Sequence, residues 1–196
     1  MMDYYIHKED VSKYPIIVFD GTIHLIDTKK DVVKYCKIIS KSDVIGFDTE
    51  TKPAFQKGVS YSISLLQLSA QDSVFLFRID KVGFMQEIID VLSNPKIKKV
   101  GIDIKNDISG LKKIKLFEPH NFIDLNSLAL QCGFKSIGAV KLSIMLLGYR
   151  ISKKQRLSDW SINELTEAQK KYAAIDAWIC PKILNIFQKK FPSHFE

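Results

Sequence analysis

Asp48 and Glu50 close the run Val-Ile-Gly-Phe-Asp-Thr-Glu at 44 to 50, two carboxylates separated by one residue. Val44 to Asp48 reads as a buried strand, and side chains on a strand repeat every second residue, so both acids project from one face. Desolvated like charges repel and raise one another's pKa, an arrangement that usually persists where a cation is held. Carboxylate oxygens are hard ligands, suited to Mg2+ or Mn2+. The bland alternative is the polar end of a strand entering a loop.

Two further places carry residues of the same kind. Tyr172 and Asp176, in Lys-Tyr-Ala-Ala-Ile-Asp-Ala-Trp, are four residues apart and share a helix face. Around them Ala173, Ala174 and Ala177 are small enough to let that helix approach a sheet closely. Asp107, in Lys-Asn-Asp-Ile-Ser-Gly-Leu, falls where a strand has ended and a helix begins, the usual ligand position in α/β sheets. A helix cap or first-turn acid is the competing reading there.

The elements that must hold these groups follow from periodicity. Residues 1 to 14 have no clear period and should lie over the surface. Ile16 to Phe19 and Ile23 to Ile26 are β-prone runs around Asp20-Gly21, read as a hairpin or one bent edge strand. Thr28 can cap a helix over Lys29 to Ser40. The Val44 to Asp48 strand leads into a loop with Pro53, Phe55 and Lys57, and Ser60 to Leu68 and Ser73 to Ile79 complete an antiparallel meander. Phe84 to Leu92 is a helix, Lys98 to Ile102 a strand, Asp107 to Lys113 the start of a helix, and Phe122-Ile123 a last short strand. From Leu125 the texture is helical: Asn126 to Cys132, Ala139 to Leu147, and a long helix from about Glu167 to Lys189. Strands, then alternating helix and strand, then helices, describe an α/β sandwich around a mixed sheet.

A chain of 196 residues, 46% hydrophobic and 26% charged, suits one well-buried core, with residues 1 to 20 as an N-terminal extension. Its net charge of +7 favours a polyanionic partner. Cys36, Cys132 and Cys180 are scattered, with neither Cys-x-x-Cys nor clustered histidines, which argues against zinc and disulfides and fits a reducing cytoplasm. No stretch reads as a signal peptide or a membrane span, so a membrane is not an expected partner. The oligomeric state stays open.

Taken in order, Asp-x-Glu at a strand end, Asp at a strand-to-helix junction and Tyr-x-x-x-Asp on the closing helix resemble the DEDDy group of 3'-5' exonucleases. That group has a ribonuclease H-like fold, and the texture here is similar to its ribonuclease D and Werner exonuclease branch. The resemblance runs from about Gly21 onward. It is carried by Gly-Phe-Asp-Thr-Glu-Thr-Lys-Pro-Ala-Phe at 46 to 55, Leu-Leu-Gln-Leu at 65 to 68, Leu-Ser-Asp-Trp at 157 to 160, and Leu-Thr-Glu-Ala-Gln-Lys-Lys-Tyr-Ala-Ala-Ile-Asp-Ala-Trp at 165 to 178.

The resemblance implies that Asp48, Glu50, Asp107, Tyr172 and Asp176 are the catalytic residues. One divalent ion would go to Asp48, Glu50 and Asp176, and a second to Asp48 with Asp107. Asp107 is preferred to Asp103 for its spacing from Gly101 and Leu111, and Asp124 reads as a helix-starting residue. Tyr172 would hold the attacking water. The implied activity is two-metal-ion hydrolysis at the 3' end of DNA or RNA, releasing nucleoside 5'-monophosphates. Seven lysines between Lys96 and Lys115, Lys105 among them, and Lys153, Lys154 and Arg156 could contact phosphates, and Phe55 could stack on a terminal base. Trp160 and Trp178 read as packing residues. The rival is a catalytically weak nucleic-acid-binding protein that keeps the fold.

Overall fold

The computed structural model describes residues 4–56 and 58–195. Met1, Met2 and Asp3 of the N-terminal reading, and Lys57 of the loop, lie outside the described residues.

Six strands form one sheet: β1 (Thr22–Ile26), β2 (Val44–Thr51), β3 (Ile63–Ala70), β4 (Ser73–Arg78), β5 (Lys98–Gly101) and β6 (Phe122–Asp124), in the spatial order β1-β4-β3-β2-β5-β6. The meander β2-β3-β4 is antiparallel. Crossovers add β1 beside β4 and β5 and β6 beyond β2, all parallel to their neighbours. A mixed sheet of this kind is the α/β architecture expected. Every residue of β3 is buried, since both faces of the central strands are covered.

On one face lie α1 (Lys29–Ile39), the short α2 (Ile79–Val82), α3 (Gln86–Ser93) and α4 (Lys105–Ile114). Ile45 and Phe47 of β2 pack there with Val32, Ile39, Ile88, Leu92 and Leu111. The opposite face carries α5 (Leu125–Gln131), α6 (Ala139–Leu147) and α7 (Glu167–Lys190). Leu65, Leu76 and Val100 pack there against Ala173, Ala174, Ile179 and Ile183 of α7. Thr28 caps α1 by accepting from the Asp31 amide, as its residue type requires. Thr166 and Gln169 form a reciprocal capping box that starts α7.

Three expectations change. Ile16 to Phe19 is neither hairpin nor edge strand: the Ile17 amide donates to the Arg150 carbonyl at 2.9 Å and the Arg150 amide to the Pro15 carbonyl at 2.9 Å, so this segment pairs with the α6–α7 loop. Its alternation is real, with Ile17 and Phe19 buried and Ile16 and Val18 exposed. β2 runs on to Thr51, so Asp48 and Glu50 lie within a strand. Lys99 leaves the set of surface lysines, because it is fully buried and donates to the carbonyls of Asn94 and Ile97 at 2.7 and 2.8 Å. Trp160 is fully buried, and Trp178 packs edge-on against Phe19.

Candidate active site

Alternation along β2 sorts its residues. Ile45 and Phe47 enter the core beneath α1 and α3, while positions 46, 48 and 50 face α7. Gly46 makes this possible. A Cβ there would lie 1.9 Å from the Ala177 carbonyl oxygen and 2.3 Å from Ser69 Oγ, so only glycine lets α7 lie against the sheet. The Gly46 amide donates to Ser69 Oγ and Ser69 Oγ donates to the Ala177 carbonyl, both at 3.1 Å. Helix and strand are therefore held at a fixed separation one step from Asp48 and Asp176.

At that separation Asp48, Glu50 and Asp176 each present a carboxylate oxygen within 4.8 Å of the others. Asp107, near the start of α4, joins from the far side of β2 by accepting a hydrogen bond from Thr49 Oγ1, the residue between the two strand acids. It stands beside the trio, outside that tight group. Tyr172, one turn before Asp176 on α7, lines the same cavity as the Asp176 carboxylate and interacts with it electrostatically.

Four acids so placed cannot all ionise without cost. Burial raises the Asp48 carboxyl well above the ordinary range, and Asp176, Asp107 and Glu50 add to it. Burial, then Asp176 and Asp107, push Glu50 up to about 9, against a smaller pull from Arg156. Asp107 is raised by burial, with its Thr49 hydrogen bond opposing. Asp176 is raised to about 7 by burial, with the Tyr172 hydrogen bond and Lys153 opposing. Burial and the neighbouring acids also push the Tyr172 phenol upward, so it stays protonated and serves as a donor. An all-oxygen donor set that is unstable as four anions fits a hard divalent cation such as Mg2+ or Mn2+.

The carboxylates stand where two cavities meet. One, of about 370 Å³, is lined by Asp48, Glu50, Tyr172 and Asp176 with Lys153 and Arg156. The other, of about 650 Å³, runs past Glu50 and Asp107 to Tyr61, Asn106 and Lys113. Lys153 and Arg156 are thus brought to the acids. Lys154 lines a more apolar neighbouring cavity with Ile17, Phe19 and Ile175, which meets the carboxylate cavity at Tyr172. Lys105 is exposed at the start of α4 and lines neither cleft cavity. Phe55 is 81% exposed and shares a fourth cavity with Tyr61 and Leu157.

The competing acids have other work. Asp124 caps α5, accepting from the Asn126 amide at 2.9 Å and the Asp103 amide at 3.0 Å. Asp103 is exposed at the cleft rim, in a left-handed turn with φ 60°. Lys113, one of the seven lysines offered as phosphate contacts, reaches the cleft, whereas Thr49, Tyr61 and Asn126 are cleft residues that sequence reasoning misses. Thr49 has a signal in its place between two acids; the others face the cleft only through tertiary packing.

A family model described as 3'-5' exonuclease matches residues 23–192. The mouse bifunctional 3'-5' exonuclease/ATP-dependent helicase WRN is 34% identical over 160 residues, covering 77% of this chain and 11% of that protein. Ribonuclease D of Gluconacetobacter diazotrophicus is 30% identical over 156 residues, covering 78% of this chain and 39% of that protein. The chain therefore spans well under two thirds of these relatives. The Aedes aegypti Nibbler EXO domain superimposes with a TM-score of 0.79 at 20% identity, covering 93% of this chain and 94% of that one, which makes the fold ribonuclease H-like.

Proposed function

The chain belongs to the 3'-5' exonuclease family, and on that premise we propose that it shortens DNA or RNA from the 3' end with two divalent cations, Mg2+ or Mn2+. The observation that carries the reading is the convergence of Asp48, Glu50 and Asp176, from strand and helix, to within 4.8 Å inside an open cleft. Asp48, Glu50 and Asp176 would hold one cation, and Asp48 with Asp107 the other. Held there, divalent cations would supply Lewis acidity toward a water and positive charge for the leaving oxygen.

The chain's own residues account for the rest. Tyr172 is protonated, so it orients the attacking water as a hydrogen-bond partner and takes no proton from it. As the water oxygen bonds to phosphorus, the bond to the 3' oxygen breaks, the water releasing a proton to solvent and the departing 3' oxygen taking one up. A nucleoside 5'-monophosphate leaves, and the shortened strand ends in a 3' hydroxyl. Lys153 and Arg156, which line the carboxylate cavity, offer charge to the phosphates around the scissile bond. Lys105, Lys154 and Phe55 belong to the flanking surface in this reading: the two lysines as outer phosphate contacts, Phe55 as a stacking face for an unpaired base. Among the described residues no helix is long and apolar enough to cross a membrane, and a reducing cytoplasm is the proposed setting.

One gel tests the proposal. Matched 3'-labelled and 5'-labelled DNA and RNA oligonucleotides are incubated with Mg2+, Mn2+ or EDTA. The 3' label should leave first as a mononucleotide, the 5' label should give a descending ladder, and EDTA should stop both. Retarded but intact strands in every metal lane would favour the nucleic-acid-binding rival.

A further inference from the structure

Gln67 is fully buried on β3, and neither its amide nitrogen nor its amide oxygen has a hydrogen-bond partner among the described residues. Burying one such atom without a partner is costly, and glutamine carries two. Buried polar groups are otherwise almost always satisfied, so an exception points to work done elsewhere. Ser143 and the two tryptophans each leave a single atom unpartnered.

The register shows where Gln67 belongs. It is the direct antiparallel partner of Asp48, and cross-strand partners share a face with Cβ atoms about 4.5–5.5 Å apart. On the same strand Leu65 and Ser69 flank it, and Ser69 touches Ala177 of α7. Gln67 thus lies under α7 beside the acid common to both proposed cation sites. An apolar residue would fit this core at lower cost, as Leu76, its partner on β4, does.

We propose that Gln67 is a positioning residue for Asp48: its amide fixes the carboxylate's orientation when that acid holds a cation. The inference rests on the exonuclease reading. An aspartate shared by two cations must offer both oxygens in set directions, and a neutral donor on the same face restrains it without adding charge to a site that already holds four acids. Loss of such a supporting partner typically lowers metal affinity or activity about 10–100-fold.

The test uses Gln67→Leu and Gln67→Met in the full chain. Metal-free thermal stability should hold or rise, because two unsatisfied atoms leave the core. Mn2+ binding to the metal-free protein, followed by calorimetry, should weaken about 10-fold or more, and kcat should fall in similar proportion while KM changes little. Parental Mn2+ affinity and kcat in either folded variant overturns the inference and leaves the exonuclease reading intact. Failure of both variants to fold overturns it in favour of a packing role. Absence of Mn2+ binding and digestion in the parental protein removes the exonuclease reading itself, and the inference with it.

Discussion

Ser69 supplies the hydrogen bond that Pro181 takes away from Ala177. A proline inside a helix has no N–H for the carbonyl four residues earlier, here Ala177. That carbonyl instead accepts from Ser69 Oγ at 3.1 Å, across the boundary between sheet and helix. A helix fault has become the anchor that sets Asp176 opposite Asp48.

The anchor predicts non-additive stability. Ser69→Ala leaves the Ala177 carbonyl without a donor and should cost about 1–3 kcal/mol in urea unfolding. In a Pro181→Ala background the helix can satisfy that carbonyl itself, so the same change should cost visibly less. Equal costs in the two backgrounds would mean that the exchange of donors does not matter. Gly46→Ala, whose Cβ would meet the Ala177 carbonyl oxygen at 1.9 Å, should be worse than either and should lose activity even where it folds.

Asp48→Ala and Asp176→Ala should each abolish digestion. Each removes a ligand and also relieves like-charge repulsion in a buried cluster. Melting temperature in EDTA should therefore hold or rise. Substantial digestion by either variant would end the metal assignment.

The pairs Asp48 with Glu50 and Tyr172 with Asp176 are legible because spacing puts each pair on one face, and it is the resemblance that joins the two pairs into one site. What faces them is not legible. The pairing of Ile17 with Arg150 spans more than a hundred residues, so Ile16 to Phe19 reads as half of a local hairpin. Lys99 reads as one more solvated lysine, and only the convergence of the Asn94 and Ile97 carbonyls explains its burial. α2 is a single turn of four residues, too short for a periodic signal. Which cavity each of Lys153, Lys154 and Arg156 lines depends on the direction of its side chain in an irregular loop, which no period encodes.

Metal-free stability should fall as pH rises. The folded pKa values of the cluster lie above the unfolded range of about 4, reaching about 7 for Asp176 and about 9 for Glu50. The native state then binds more protons than the unfolded one, which makes the slope of stability against pH negative. The stabilisation is complete below pH about 4 and is lost up to about 9. Cations replace those protons, so the gap between melting temperatures in Mn2+ and in EDTA should widen from pH 5.5 to 8.5. A gap that is flat with pH would contradict the raised carboxylates.

Asp107→Asn should cripple turnover, whereas Asp103→Asn and Asp124→Asn should do much less. The amide introduced by Asp107→Asn keeps an oxygen to accept from Thr49, so the fold survives while the charge is lost. Asparagine tolerates the left-handed turn at 103 and can still accept the two amides at 124. Single-turnover rates on one labelled oligonucleotide rank the three. A dead Asp103→Asn with an active Asp107→Asn would reverse the placement.

Tyr172→Phe separates a chemical role from a packing role. The ring lies 6.0 Å from that of Trp160, and phenylalanine keeps this contact and every carboxylate. What is lost is one donor, now directed at Asp176 and, in the reading above, at the attacking water. Turnover should fall by about 100-fold, the lower end for a positioning group when bound cations do most of the activation. Substrate affinity measured in Ca2+ should barely change, as expected for a contact made in the transition state. A second signature comes from Asp176. Without the phenol its carboxylate loses a stabilising hydrogen bond, so its pKa should climb further and the acidic limb of the rate profile should move to higher pH. A tyrosine present only to pack against Trp160 would show neither effect, and its loss would register as about 1 kcal/mol of stability at most. Normal turnover with an unmoved pH profile would take Tyr172 out of the mechanism.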